Sequence, residues 1–358
     1  MLTVERKLEL HHAYWNRQEL KRPLVAFQIG SQLVSENYTA AQQLMSPPRQ
    51  ITPDDIVVES FYADYERMYE ESSMVEQEAF WTAIPFPGIP WIEGMLGCPV
   101  YSAEGSFWAQ TCYDAIEQIE ISLDYDNPWL KKLLEFTDKL VNLSQNRYPI
   151  GQPIMRGPVD ILGALLGQEK LVYAFYDNPE LVKRLAREAT QVFIEVVKLL
   201  RERIPPFHNG HSFGFYPVWA PGKCLSFQED LMALGSPVIY RDFFLACDRM
   251  IAKAYPYSTI HVHPNSFYLI PDLLEIEDLS IIEMNYDRGG PAMVEMLPSI
   301  LQALEKKHVL LRGIITEADL AILRDKVPVQ GLFLYIVTDT LQRAQELNNY
   351  IDELYCGA

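Results

Sequence analysis

The stretch YSTIHVHPNS, residues 257–266, is a β-branched run that closes on two histidines just ahead of a Pro-Asn break. In an extended chain residues i and i+2 share a face, so His261 and His263 are expected to point the same way from one strand end. Two imidazoles converging there suit a divalent metal or a bound anion.

The same pattern, a short apolar run ending in polar or glycine residues, recurs on either side. Upstream lie LVAFQI (24–29), FWTAIPF (80–86), IGQPIMR (150–156) and HSFGFYP (211–217). Downstream lie SIIEMN (280–285), VLLRG (309–313) and GLFLYIVT (331–338). Helical periodicity fills the gaps, most plainly in residues 178–203, where Asn178-Pro179 gives a start signal. Eight strands alternating with helices predict an α/β fold, a (β/α)8 TIM barrel, with residues 1–358 as one domain. Two stretches interrupt the alternation: residues 30–79 carry a loop and an acidic helix, and residues 87–127 carry a small hairpin. Insertions after barrel strands lie over the mouth and shape the pocket.

Composition narrows the partners. The 358 residues include 30 Lys and Arg against 48 Asp and Glu, a net charge of −18. Such a field repels nucleic acid and anionic membranes, leaving a small-molecule substrate as the expected ligand. Cys98, Cys112, Cys224, Cys247 and Cys356 are dispersed, odd in number and without CxxC spacing, so neither a disulfide framework nor a zinc ribbon is expected. The opening MLTVERKLELHHAYW reads as an amphipathic helix, not a signal peptide, and no apolar run approaches membrane-spanning length. A cytoplasmic setting is expected.

In an α/β barrel the chemistry sits at the carboxyl ends of the strands. Those ends offer Gln28, Arg156, Asp160, Tyr216, Trp219, His261, His263, Glu283, Asn285, Arg312 and Asp339. For the histidine pair three roles stay open: metal ligation, direct substrate contact, or hydrogen bonding to neighbouring carboxylates. Glu283, on the next strand, completes a mixed His-carboxylate site or orients an imidazole. Asp160 is a substrate contact or a cap on the helix that follows. Tyr216, Trp219, Gln228 and Asp230 surround a Pro-Gly turn where aromatics either stack on a flat ligand or close the barrel. Trp91, Tyr216, Trp219 and Arg312 are expected to line one cleft with the histidines.

The run RGPVDILGALLGQEKLVYAFYDNPELVKRLAREAT resembles the Gly-Pro strand end, helix and Asp-x-Pro-Glu helix start of the uroporphyrinogen decarboxylase superfamily. QEDLMALGSPVIYRDFFL is similar to its central segment, and PGIPWIEGMLGCPV to its variable entrance region. The resemblance runs from about residue 20 onward. It implies a (β/α)8 barrel with a deep cleft, often as a homodimer. It also implies one of two chemistries: cofactor-free porphyrinogen decarboxylation, or zinc-dependent methyl transfer with corrinoid proteins or thiols.

Departures from the pattern choose between them. The decarboxylases carry an arginine motif of the type MRQAGRY where this chain reads FQIGSQL, residues 27–33. Both arginines that would grip a polycarboxylate are missing. The methyltransferase branch carries His-x-Cys and a later cysteine where this chain has His261-Val262-His263 and Thr338-Asp339. That harder donor set suits zinc, and also manganese, iron or nickel. The leading expectation is a metal-dependent methyltransferase working with a corrinoid or thiol partner, the ion held by His261, His263 and Glu283, with these three and Arg312 as catalytic residues. The alternatives are a metal-free decarboxylase-like lyase, with Arg312 and Arg156 gripping a small carboxylate, and a non-catalytic corrinoid- or tetrapyrrole-binding barrel.

Overall fold

The computed structural model describes residues 2–357 and is a mixed α/β structure. Six parallel strands form its main sheet: β1 (Leu24–Ile29), β2 (Cys224–Gln228), β3 (Tyr257–Val262), β4 (Ile281–Tyr286), β5 (His308–Gly313) and β6 (Leu332–Thr338). Their order is β1-β6-β5-β4-β3-β2. Alternation sorts each strand's residues between two faces. Val25, Phe27, Ile260, Met284, Leu311 and Leu334 pack in the large cluster against the helices. Leu24, Ala26, Cys224, Ile281, Leu310 and Phe333 pack together on the opposite, inner face. Burial on both faces is why these strands read as nearly continuous apolar runs.

Two expected strands form no ladder. Residues 80–86 and 150–156 contribute only single parallel bridges, Ala83 to Ile150 and Arg156 to Gln228. Pro85, Pro149 and Pro153 remove backbone donors there. Side chains supply the missing bonds. The Gln152 amide brackets Ser226, donating to its carbonyl at 2.6 Å and accepting its N–H at 3.1 Å. On the β1 edge, Phe27 N–H donates to Gln77 Oε1 and Val25 N–H to Glu78 Oε2.

The fourth expected strand, residues 211–217, is corrected. Only His211–Ser212 is paired, antiparallel to Trp219–Ala220, while the sheet strand is β2, CLSFQ. The segment between crosses the inner face instead of joining the sheet. Gly214 sits at φ +104, and a Cβ on Gly151 would lie 2.1 Å from the Gly214 Cα, so both crossing points require glycine. Phe213, Tyr216 and Val218 thereby join the inner cluster.

Helix α1 (Val4–Trp15) covers the amino ends of the strands. Trp15 Nε1 donates to the Trp219 carbonyl at 2.8 Å, and His308 Nε2 meets the Tyr14 carbonyl at 3.0 Å. At the other end, the insertion after residue 87 forms the expected hairpin, Val100–Ala103 with Ser106–Ala109. Gln50–Ile51 of the first insertion pairs with it, so the two insertions form one three-stranded sheet. Helix α2 (Pro158–Leu166) follows Gly157-Pro158, and α3 (Pro179–Arg203) opens on Asn178-Pro179 as its sequence predicts. Among the described residues no helix is long and apolar enough to cross a membrane.

Candidate metal centre at the carboxyl ends of the strands

Along the inner face the residues turn from apolar to polar toward the carboxyl ends, in register across neighbouring strands. His261 pairs in register with Gln228 on one side and Glu283 on the other, and Asn285 pairs with Arg312. His261 and His263 do share a face, their ring centroids 4.6 Å apart at 89°.

Each imidazole is held by a carboxylate at the same nitrogen. His261 Nδ1 is hydrogen-bonded to Glu283 Oε2, and His263 Nδ1 lies 2.9 Å from both oxygens of Asp287. With Nδ1 turned to the carboxylate, each Nε2 is the nitrogen left facing away from it, the arrangement found behind metal-bound histidines. Burial works to lower the pKa of His261, but the Glu283 carboxylate and its hydrogen bond overcome this and raise it to about 9.

The third convergent donor is Asp230. Ligand atoms of Asp230, His261 and His263 all lie within 4.8 Å of one another. Asp230 Oδ1 is buried without a hydrogen-bond partner and stands 3.7 Å from His261 Nε2. Its other oxygen accepts from Gln228 Nε2 at 2.6 Å. With its pKa so raised, His261 carries a proton on Nε2 facing this oxygen at neutral pH; a divalent cation would take that proton's place among the three converging donors, so these residues fit a metal ion. The donors, two nitrogens and a carboxylate, suit zinc and equally manganese, iron or nickel.

The backbone that carries Asp230 is pinned from below. Asp160, fully buried on α2, accepts the N–H groups of Asp230 and Leu231 at 2.9 and 2.7 Å, one on each oxygen. Burial first, and then the Asp230 charge, push the Asp160 carboxyl up to about 8. Next to it, Glu229 accepts the Val159 N–H at 3.0 Å.

The remaining site residues divide by place. Gln28 and Asn285 hold the Arg312 guanidinium, Gln28 at 2.7 Å, between the rings of Phe215 and Tyr335. Tyr216 lies inside the fold beneath His261, rings stacked at 6.3 Å, not at a strand end. Trp91, Arg156, Asp160, Gln228 and Asp230 line a cavity of about 430 Å³, where Arg156 is ion-paired to Glu93 at 3.0 Å. Asp339 lines a separate open cavity of about 1350 Å³ together with Asp287 and Arg288.

Two expectations therefore change. Trp219 lies at the amino end of the sheet, packed on His11 and His12 of α1, because the chain before it crosses the inner face; it is not part of the mouth. Trp91, Tyr216, Trp219 and Arg312 accordingly do not share one cleft with the histidines. Glu283 sits on the Nδ1 side of His261, while Asp230, expected as a substrate contact, takes the third converging position. Asp287 and Glu93 went unmarked in the sequence. Asp287 lies in the NYDRGG turn, where only the neighbouring strand's register points it at His263.

The chain is similar in structure to a methyltransferase from Methanosarcina mazei. The match has a TM-score of 0.65 and 12% sequence identity, and covers 99% of this chain and 100% of that protein. At that identity the likeness is one of fold. No protein-family model and no curated protein sequence matches the chain.

Proposed function

We propose that this chain is a metal-dependent methyltransferase of the uroporphyrinogen decarboxylase-like kind, with Asp230, His261 and His263 as its metal ligands. The observation that carries the reading is the unpartnered Asp230 Oδ1 facing two imidazoles whose Nδ1 atoms are both engaged by carboxylates. The fold likeness to a methyltransferase supports the reaction class. In this reading the bridges through residues 80–86 and 150–156 make those segments the two remaining staves of an eight-stave barrel, its mouth at the site.

A bound divalent ion supplies a Lewis acid that lowers the pKa of a thiol acceptor. The chain's own residues do the rest. Glu283 and Asp287 fix tautomer and ring orientation, Asp160 fixes the backbone of Asp230, and the half-exposed His263 leaves the outer side open to a ligand. A corrinoid protein is the proposed methyl donor.

Two measurements test this. Protein purified without added metal is expected to hold about one divalent ion per chain, and to transfer the methyl group of methylcobalamin to a small thiol, read by the cobalamin spectrum. Full turnover by metal-free protein would sink the metal assignment; stoichiometric metal without methyl transfer would sink the reaction. Uroporphyrinogen is expected to remain unchanged under anaerobic incubation, because the FQIGSQL segment lacks the arginines and Arg156 is already paired with Glu93.

A further inference from the structure

Cys98 and Cys112 are fourteen positions apart in the sequence, yet their sulfurs lie 3.4 Å from each other. They flank the hairpin Val100–Ala103/Ser106–Ala109, whose strands stay side by side beyond the last pair, since Gln110 N–H donates to the Pro99 carbonyl at 2.8 Å. Both cysteines rest on the same turn of α2. The Cys98 thiol is directed at the Ala164 carbonyl, and the N–H groups of Cys112 and Tyr113 donate to Leu165.

We propose that Cys98 and Cys112 are a reversible disulfide-forming modification site that clasps the base of this hairpin. A disulfide needs about 2.05 Å between sulfurs, so the pair must close by about 1.4 Å. The neighbouring backbone permits it: Gly97 lies at φ +96 with open space around it. Access is asymmetric. Cys98 is buried, whereas Cys112 is partly exposed and meets an oxidant first. Burial raises both thiols above the ordinary cysteine range, so the exchange is slow.

The oxidant is a low-molecular-weight disulfide. The Cys112 thiolate attacks one of its sulfurs and releases one small thiol, leaving a mixed disulfide on Cys112. Cys98, losing its proton, then attacks the Cys112 sulfur and expels the second small thiol. Two protein thiols are oxidised and one small disulfide is reduced to two thiols. The bond reaches the site through one link. The Cys98 N–H donates to the Glu93 carbonyl at 3.0 Å, so the clasp fixes the end of the helix Trp91–Met95 that presents Glu93 to Arg156. This inference does not depend on the proposed reaction or its metal.

The test is to incubate the full chain with oxidised glutathione, block free thiols, and map peptides without reduction. The expected product is a Cys98–Cys112 crosslink two hydrogens lighter than the dithiol and reversed by dithiothreitol. Cys98→Ser should stop at a glutathione adduct on Cys112, and Cys112→Ser should give no crosslink. Amide exchange over residues 100–109 should slow by at least about tenfold in the oxidised wild type and not in Cys98→Ser. A wild-type reaction that ends at the Cys112 adduct, a Cys112 bond to another cysteine, or a crosslink that leaves exchange in the hairpin unchanged would overturn the proposal.

Discussion

The two ends of the inner face both hold histidines, and chemistry separates them. At the carboxyl end His261 and His263 meet Glu283 and Asp287, and His261 is raised to about 9. At the amino end His11 stacks on Phe80 at 5.8 Å, with Trp219 and Phe333 close by, and burial pushes it down to about 3. His308, on the Tyr14 carbonyl, is likewise lowered by burial to about 4. A histidine in this interior is therefore no sign of a site by itself. What makes a ligand is a carboxylate on one ring nitrogen and unsatisfied space before the other.

The contrast is broken most severely by emptying the carboxyl end. His261→Ala, His263→Ala and Asp230→Ala are each expected to lose the metal altogether in elemental analysis, with far-ultraviolet dichroism unchanged. Stoichiometric metal in a double His261→Ala, His263→Ala variant would move the site elsewhere. Removing the carboxylates behind the ligands is gentler: Glu283→Gln and Asp287→Asn should weaken metal binding by about 10- to 100-fold in a chelator competition. His308→Gln, at the other end, should leave that affinity alone.

A third experiment sharpens the amino end. His11 is neutral in the fold, with a pKa of about 3 against 6.5 for a free imidazole, so the unfolded chain binds a proton that the folded chain refuses between those values. Its contribution to stability is intact above pH 6.5 and is lost as pH falls, by about 1.4 kcal/mol per unit. His11→Phe keeps a ring on Phe80 and removes the titration. Urea unfolding at pH 7 and pH 5 should show the wild type losing about 2 kcal/mol more than the variant across that interval. Equal losses would mean that His11 takes up its proton in the folded state.

Much of this was legible in the sequence, and the failures have physical causes. β1 coincides with the predicted run, and β3 to β6 lie within a residue or two of theirs, since strands buried on both faces must be apolar throughout. β2 escaped because CLSFQ carries a serine and a glutamine, the first bracketed by Gln152, and so lacks the apolar signature. The aromatic run 211–217 looked like a strand for the opposite reason: its rings are buried, but by crossing the inner face. The histidine pair was readable from i, i+2 spacing. Its partners were harder, because Asp230 opens a short 3-10 helix and Asp287 lies in a turn, both beyond strand ends, and only the alignment of neighbouring strands aims them at the imidazoles.

The smallest expected effect separates two aspartates that line the same cavity. Asp287 holds His263 Nδ1, whereas Asp339 is exposed and, among the described residues, its side chain hydrogen-bonds to the neighbouring Thr340 hydroxyl alone, at 3.4 Å. If the strand-end position by itself made a carboxylate functional, the two substitutions would cost the same. If contact with the imidazole matters, Asp339→Asn should change metal affinity by no more than about twofold, the range of an ordinary surface substitution. Asp287→Asn should exceed that clearly in the same competition assay. A loss at Asp339 as large as the loss at Asp287 would show that the charge of the whole mouth, and not the bond to His263, holds the ion.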